Sequence, residues 1–376
     1  MTMIACTMNR NVPILMSDIL ISGSKRPDKF ILPSRNENIL GLLKDLRDDG
    51  PVCLFRKIYI PKRNVCIAFA GNVHIISLFL EDLLIFCKAN PTADGLEMQR
   101  FCLTYGLTPD HEISFLMVVA DIVGDEYKFT RIKYGEWNVK MTPLFGEIIS
   151  AGSGSQDFVR EAMEDAEFIS GQAADTIERA LQANIILICK LLSTERVSLS
   201  HVKNFWGAGF EMVYLIREGF TRFENITYLI NHADFNNTGE TQIPIPEIIM
   251  NYKYVGEVLV ITAINPLKGT TEENGDNIII RYTEFNIKQF IVEPIFSSSD
   301  VDYNKLAGNP SFTSHINAMG YVISCPNGDF LPASFNAGPE LLVEYQHDKS
   351  VTITIRKEIN DTIADLSKKW FNAMNF

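Results

Sequence analysis

The sequence predicts a layered α/β fold of the α+β kind, in which helices cover mostly antiparallel sheets, followed by a β-rich C-terminal domain. Three observations predict it. Apolar runs and helical faces come in blocks, in the order strands, helices, strands, helices, strands. Residues 73–89 carry Ile76, Phe79, Leu80, Leu83 and Cys87 at helical spacing. Residues 65–70 are an unbroken apolar run of strand length, and 113–120, apolar but for Ser114, read as a buried strand.

The elements follow in order. Residues 3–8 and 12–21 are rich in Ile, Val, Leu and Met and flank Asn9-Arg10-Asn11, which reads as strand, tight turn, strand. Pro13 belongs where its missing N–H is not needed, and Gly23-Ser24 breaks the strand. Lys29-Phe30-Ile31-Leu32 reads as a short apolar strand ended by Pro33. Residues 34–64 read as an insertion, with Ile39, Leu43 and Leu46 at helical spacing before the Asp48-Asp49-Gly50-Pro51 break. Gly71-Asn72 turns strand 65–70 into helix 73–89. Gly124-Asp125 turns strand 113–120 into strand 127–134, and Gly135-Glu136 leads toward 145–150. The bend Ala151-Gly152-Ser153-Gly154-Ser155 opens a helix over 156–169. A second helix, 171–193, spaces Ala174, Ile177, Leu181, Ile185 and Ile188. Gly207-Ala208-Gly209 precedes strand 210–216, and Arg217-Glu218-Gly219 turns it toward strand 223–231. These elements form a first domain, 1–235. Asn236-Asn237-Thr238-Gly239-Glu240 lies in a linker, 236–246. The second domain, 247–376, has strands at 257–264, 277–282, 290–296 and 351–355 and a closing helix near 358–373.

Composition narrows the function. A hydrophobic share of 46% with 21% charged residues describes a globular chain with a full core. A net charge of -12 argues against nucleic acid or an anionic membrane as partner, because phosphate binding needs an excess of Lys and Arg. The longer apolar runs fall far short of the roughly 18 residues of a membrane span, and Arg10 and Asp18 interrupt any signal-peptide core. Seven scattered cysteines without a CxxC pair read as buried free thiols, which predicts a reducing, cytoplasmic setting. The histidines show no ligand spacing with each other or with the cysteines, so neither a metal nor another cofactor is expected.

The chain opens Met1-Thr2-Met3-Ile4. Initiator methionine before a small residue is the usual context for its removal, which would free Thr2. A free N-terminal threonine carries a nucleophile and a base on one framework, and its α-amine titrates near pH 7.7–8.0, roughly at working pH.

On these pieces, residues 2–235 resemble the proteasome β-subunit family and its simpler bacterial proteasome-like peptidases, within the N-terminal nucleophile hydrolases. The motifs occur in the family's order. Thr2-Met3-Ile4 is followed by Asp18, a lysine heads the apolar run Lys29-Phe30-Ile31-Leu32, Phe69-Ala70-Gly71-Asn72 bends into a helix, and Gly152-Ser153-Gly154 opens another. Taken singly, Asp18 reads as a turn residue, Lys29 as a solvated strand end and Gly71 as a turn glycine; only their joint order selects the catalytic reading. Lys25 competes with Lys29, which is favoured because an apolar run follows it.

The resemblance implies a four-layer αββα sandwich. It implies a peptide or other amide as substrate, Thr2 as nucleophile, Lys29 beside it, Asp18 orienting that lysine, Gly71 as oxyanion donor and Ser153 holding the amine. Phe69 and Val73 would line the substrate pocket. Rings in the family associate through helix faces, so helices 73–89 and 156–193 become candidate contacts of a homo-oligomer. The chain departs from the family at 204–209, where an aspartate and a serine usually help orient the threonine; here Asn204 and Gly207 stand in those places. That departure keeps a non-catalytic scaffold or binding protein in play beside the threonine peptidase, and a small-molecule amidase with the same nucleophile remains a third reading.

Overall fold

In a computed structural model, the chain is a mixed α/β protein built on antiparallel sheets with few helices. The structure describes residues 2–9, 12–25, 27–43, 49–123, 126–168, 176–234, 246–297, 306, 311–324, 330–336, 341–346, 349–359 and 365. Strands β1 (Met3–Asn9), β2 (Val12–Asp18) and β3 (Leu20–Gly23) open the chain, and β4 (Gly50–Arg56), β5 (Ile58–Lys62) and β6 (Val65–Gly71) follow. Helices α1 (Val73–Ala89) and α2 (Gly95–Thr104) lead to β7 (Ile113–Val123), β8 (Glu126–Tyr134), β9 (Asn138–Thr142) and β10 (Gly146–Gly152). Helices α3 (Ser155–Phe168), α4 (Ile177–Val197) and the one-turn α5 (Ser200–Lys203) precede β11 (Phe210–Ile216), β12 (Gly219–Arg222) and β13 (Asn225–Asp234). The later named elements are strands: β14 (Pro246–Val255), β15 (Val258–Asn274), β16 (Asn277–Pro294), β17 (Phe312–Ser314), β18 (Asn317–Ser324), β19 (Phe330–Asn336), β20 (Leu341–Gln346) and β21 (Ser350–Arg356).

Three sheets result. A six-stranded sheet runs β12-β11-β2-β1-β10-β9, and a four-stranded sheet runs β5-β6-β7-β8. An eleven-stranded sheet runs β17-β20-β21-β16-β15-β14-β13-β18-β19, with β4 and β3 attached through β16. Alternation along each strand sets the stacking. From β1, Ile4 and Cys6 face Cys66, Ala68 and Ala70 of β6, so the two smaller sheets pack on each other. From the opposite face of β6, Val65, Ile67 and Phe69 meet Ile76, Phe79 and Leu80 of α1. Met3 and Ala5 turn the other way, toward Phe158 of α3 and Ile188 of α4. Strands that look uniformly apolar in sequence are therefore buried on both sides, while α1 and α2 each bury one side. Asn72 caps α1 by accepting from the N–H groups of His74 and Ile75, and Asp94 with Glu97 closes a capping box on α2.

Helix α4 is the keystone between two halves. Twelve of its 21 residues are buried, more than a single apolar stripe supplies. Residues of α4 share one core with β1 and β2 and with Tyr228, Ile248, Met250, Ile261, Ala318 and Val322 of the large sheet. In the sequence, the helical pair 156–193 is a candidate contact between copies of the chain; its α4 portion is covered here by β13, β18 and β19 of the same chain.

Several segments differ from the sequence reading. The run 29–32 is no strand but an isolated bridge, Ile31 to Asn38. Its apolar side chains Phe30 and Leu32, with Ile39 and Leu43, plug a small core against Leu20, Leu199 and Val202. The helical spacing at Ile39 and Leu43 serves that plug through a single 3-10 turn, Leu40–Leu42, and Leu46 lies outside the described residues. The presumed insertion 34–64 is not wholly extraneous: β4 and β5 belong to the sheets. The strands expected separately at 277–282 and 290–296 are one strand, β16, paired along its length with β15. Helix α2 escaped the sequence reading. The linker residues 236–240, Ala174 and most of the expected closing helix lie outside the described residues. Pro13 fits its strand because the ladder with β11 ends one residue earlier, at Ile14.

The packing of α4 on the large sheet depends on Gly320 of β18, where an added Cβ would lie 2.1 Å from Ser193 Oγ and 3.2 Å from Cys189 Sγ. Gly320→Val is expected to lower unfolding free energy by about 1–3 kcal/mol in urea titration. An unchanged midpoint would mean that the helix does not rest on this strand.

Candidate active site

The end of β2 and the start of β1 lie side by side, since Ile4 pairs with Ser17. This register brings Asp18 against Thr2, and both are buried. Donors converge on the Asp18 carboxylate. The Thr2 hydroxyl donates to Oδ1, as do Met3 N–H at 2.8 Å and Lys57 Nζ at 2.6 Å. Gly207 N–H reaches Oδ2 at 2.9 Å. Lys57 Nζ also donates to Thr2 Oγ1 and, at 2.6 Å, to the carbonyl of Leu20. Thr2, Asp18 and Lys57 thus form a closed triangle in the interior.

Lys57 corrects the expectation for Lys29. Lys29 and its rival Lys25 are exposed on the loop after β3, and the charge near Lys29 is that of Lys288. Lys57 sits at the junction of β4 and β5, and its carbonyl accepts from Phe69 N–H at 3.1 Å, next to the Ala70-Gly71 bend. Burial pulls the Lys57 ammonium below its ordinary value, with Asp18 opposing that pull.

The backbone that carries Lys57 is held by a buried glutamate the sequence reading missed. Glu211 of β11 accepts from Lys57 N–H at 2.6 Å, Ile58 N–H at 2.8 Å and Ser17 Oγ at 3.1 Å. Arg56 Nε donates to it at 3.1 Å, and both side chains of that pair are fully buried. Arg56 in turn donates to the carbonyl of Glu257, in the turn between β14 and β15, and lies over the ring of Tyr254 on β14.

The Gly152-Ser153-Gly154 bend wraps the Thr2 carbonyl. Ser153 Oγ lies 3.4 Å from that oxygen, and Gly154 N–H reaches it at 3.5 Å. At Gly152, φ is +91° and an added Cβ would lie 2.0 Å from the same oxygen, so only glycine fits. Asn204 does not join the cluster; its side chain donates to Asp157 Oδ2 at 2.9 Å. Gly207 joins through its backbone. Its φ is +106°, and an added Cβ would lie 2.4 Å from Glu195 Oε1, so a serine there would be strained and would collide with a buried carboxyl. Glu195 accepts from Ala208 N–H and Ser34 Oγ, each at 2.5 Å, and burial pushes its carboxyl up to about 7.

The triangle opens onto a cleft of about 310 Å³ lined by Thr2, Lys57, Gly71, Phe69, Val73 and Ile76, with Ile21, Ser22, Asn72, Glu112 and Ile295 completing its walls. Gly71 has φ +112°, and its would-be Cβ lies 2.1 Å from the Glu112 carbonyl oxygen. Thiol alternatives are poor nucleophiles, since burial raises Cys53 and pushes Cys6 up to about 12. Among the described residues, no group of three or more His, Cys, Asp or Glu side chains could hold a metal ion, and no helix is long and apolar enough to cross a membrane.

Lys57→Met should strip Asp18 of its cation in the interior and cost about 3–5 kcal/mol of unfolding free energy. Lys29→Met should leave the denaturation midpoint where it was; the reverse ranking would refute the placement. Glu195 gives a pH signature. Its folded value of about 7 lies above the ordinary 4.5, so the folded state keeps a proton that the unfolded state releases. The stabilising contribution is full below pH 4.5 and is lost as pH rises through about 7. Thermal midpoints of Glu195→Gln should lack that part of the decline seen in the parent protein.

Comparison of the chain with protein-family models and with curated proteins finds no match.

Proposed function

We propose that this chain is an N-terminal threonine amide hydrolase resembling the proteasome β-subunits, and that its substrates are peptides. The observation that carries the reading is the buried triangle of Thr2, Asp18 and Lys57 at the mouth of a cleft that also contains Gly71. The succession of α1 and α2, the four-stranded sheet, the six-stranded sheet, and α3 and α4 supports the four-layer αββα sandwich of that family.

The chemistry follows from the donors and acceptors. Removal of Met1 frees the Thr2 amine. Thr2 Oγ attacks the amide carbonyl, and its proton passes to that amine, with the Lys57 ammonium holding the developing alkoxide. Asp18 keeps Lys57 in register through a charge-assisted bond. The carbonyl oxygen becomes an oxyanion, for which Gly71 N–H is the donor; one such donor is typically worth about 2.7–4 kcal/mol. Collapse breaks the C–N bond, the amine returns its proton to the leaving group, and an ester to Thr2 remains. Water, deprotonated by the same amine, cleaves that ester and restores the threonine.

A second reading, an inactive homologue that binds without cleaving, draws on Asn204. Its side chain turns to Asp157, so segment 204–209 offers Thr2 no carboxylate or hydroxyl. Small-molecule amides remain alternative substrates for the same nucleophile. An oligomer, if formed, would use the outer side of α1, where Leu78 and Ile85 are exposed.

Protein from its own host should show by intact mass and N-terminal sequencing a chain that starts at Thr2, and a threonine-directed electrophile should add once, at Thr2. Thr2→Ala should abolish both adduct and peptide cleavage with unchanged circular dichroism. A residue retained ahead of Thr2 removes the hydrolase reading, and a free Thr2 that refuses the electrophile favours the inactive homologue.

A further inference from the structure

The cleft has one wall from outside the N-terminal half. Ile295 lines it, yet it follows β16, a strand of the large sheet. Its position is fixed on both sides. Glu293 and Pro294 pair in parallel with Phe55 and Arg56, the residues just before Lys57. Phe296 N–H donates to Tyr59 Oη at 3.0 Å, just after it. Ile295 and Phe296 pack on the core that holds Phe69, Ile76 and Phe79. The segment carrying Ile295 is thus tied to the chain on both sides of Lys57.

We propose that Ile295 is a specificity-determining residue, closing the cleft over an apolar aliphatic side chain of the substrate. This assignment rests on the hydrolase reading for what happens to the amide, but not for what the cleft binds. Ile21, Phe69, Val73, Ile76 and Ile295 give the space next to Thr2 its apolar walls, and Ser22, Asn72 and Glu112 line the remainder. A charged side chain laid against those apolar walls would lose its water there, and Lys57 is already held by Asp18 and Leu20. A branched aliphatic side chain gains contact with all five apolar residues. Glu112, also among the cleft residues, is exposed, so its charge stays hydrated. Shortening Ile295 would remove one wall and leave room for an aromatic ring.

The test uses short labelled peptide amides ending in Leu, Phe, Asp or Lys. Binding is read by fluorescence anisotropy with the full chain carrying Thr2→Ala, and cleavage is read with the full chain carrying Thr2. Leu is expected to bind at least about tenfold tighter than Asp or Lys. Ile295→Ala should shift the Leu-over-Phe ratio about tenfold toward Phe, in line with the discrimination that one or two methylenes provide. Ile295→Val, which keeps the packing, should shift it in the same direction by less. A ratio within twofold of the parent in both variants overturns the proposal, as does failure of every peptide to bind. A shifted binding ratio without cleavage in the Thr2 protein upholds the wall and removes the hydrolase reading instead.

Discussion

A buried ion pair, Lys57 with Asp18, organises the interior of this protein. Neither charge could remain in the core alone, so each fixes the other, and both fix the Thr2 hydroxyl between them. The strands obey this constraint. The β1–β2 register delivers Thr2 and Asp18 to one spot, and Glu211 pins the peptide groups of residues 57 and 58 from the neighbouring strand. A second buried pair, Arg56 with Glu211, lies behind the first. The region thus holds two anions and two cations among satisfied backbone groups, an arrangement that leaves little freedom for any one of them to drift.

Much of this was legible in the sequence. Helix α1 announced its limits and its buried face, because one side of it meets a sheet and the other meets water. Strand β6 shows itself by an uninterrupted apolar run, and β7 and β11 by runs that are apolar but for Ser114 and Asp121 in the one and Glu211 in the other. Thr2, Asp18 and Gly71 carry local signals in a chain start, a strand end and a glycine bend, whereas Ser153, expected at the Thr2 amine, has its Oγ beside the Thr2 carbonyl. Lys57 carries no such signal, and Lys29 is favoured in its place only because apolar residues follow it. Those residues, Phe30 and Leu32, fill a plug beneath α5 instead of forming a strand. Lys57 lies across from Phe69, but the β5–β6 hairpin shifts register between Tyr59 and Lys62, so the turn alone does not fix that pairing. Glu211 had no local signal at all; a glutamate inside an apolar strand becomes legible only when Arg56, 155 residues away, is seen against it.

The large sheet changes how the N-terminal half must be regarded. It covers α4, extends β4 through β16, braces Arg56 through Glu257 and supplies Ile295 to the cleft. Residues 204–209, which depart from the proteasome-like pattern, are also better understood in this setting. Gly207 is glycine because its backbone is left-handed and Glu195 occupies the space a side chain would need. What looks like the loss of a hydroxyl is a position where the backbone itself serves Asp18.

The parallel pairing of β16 with β4 also bears on the order of events during synthesis. Residues 55 and 56 emerge early, but their partners, 293 and 294, leave the ribosome more than two hundred residues later. Until then β4 has β3 beside it but not β16, and the cleft lacks a wall, so a nascent chain carries the ingredients of the centre without its finished enclosure.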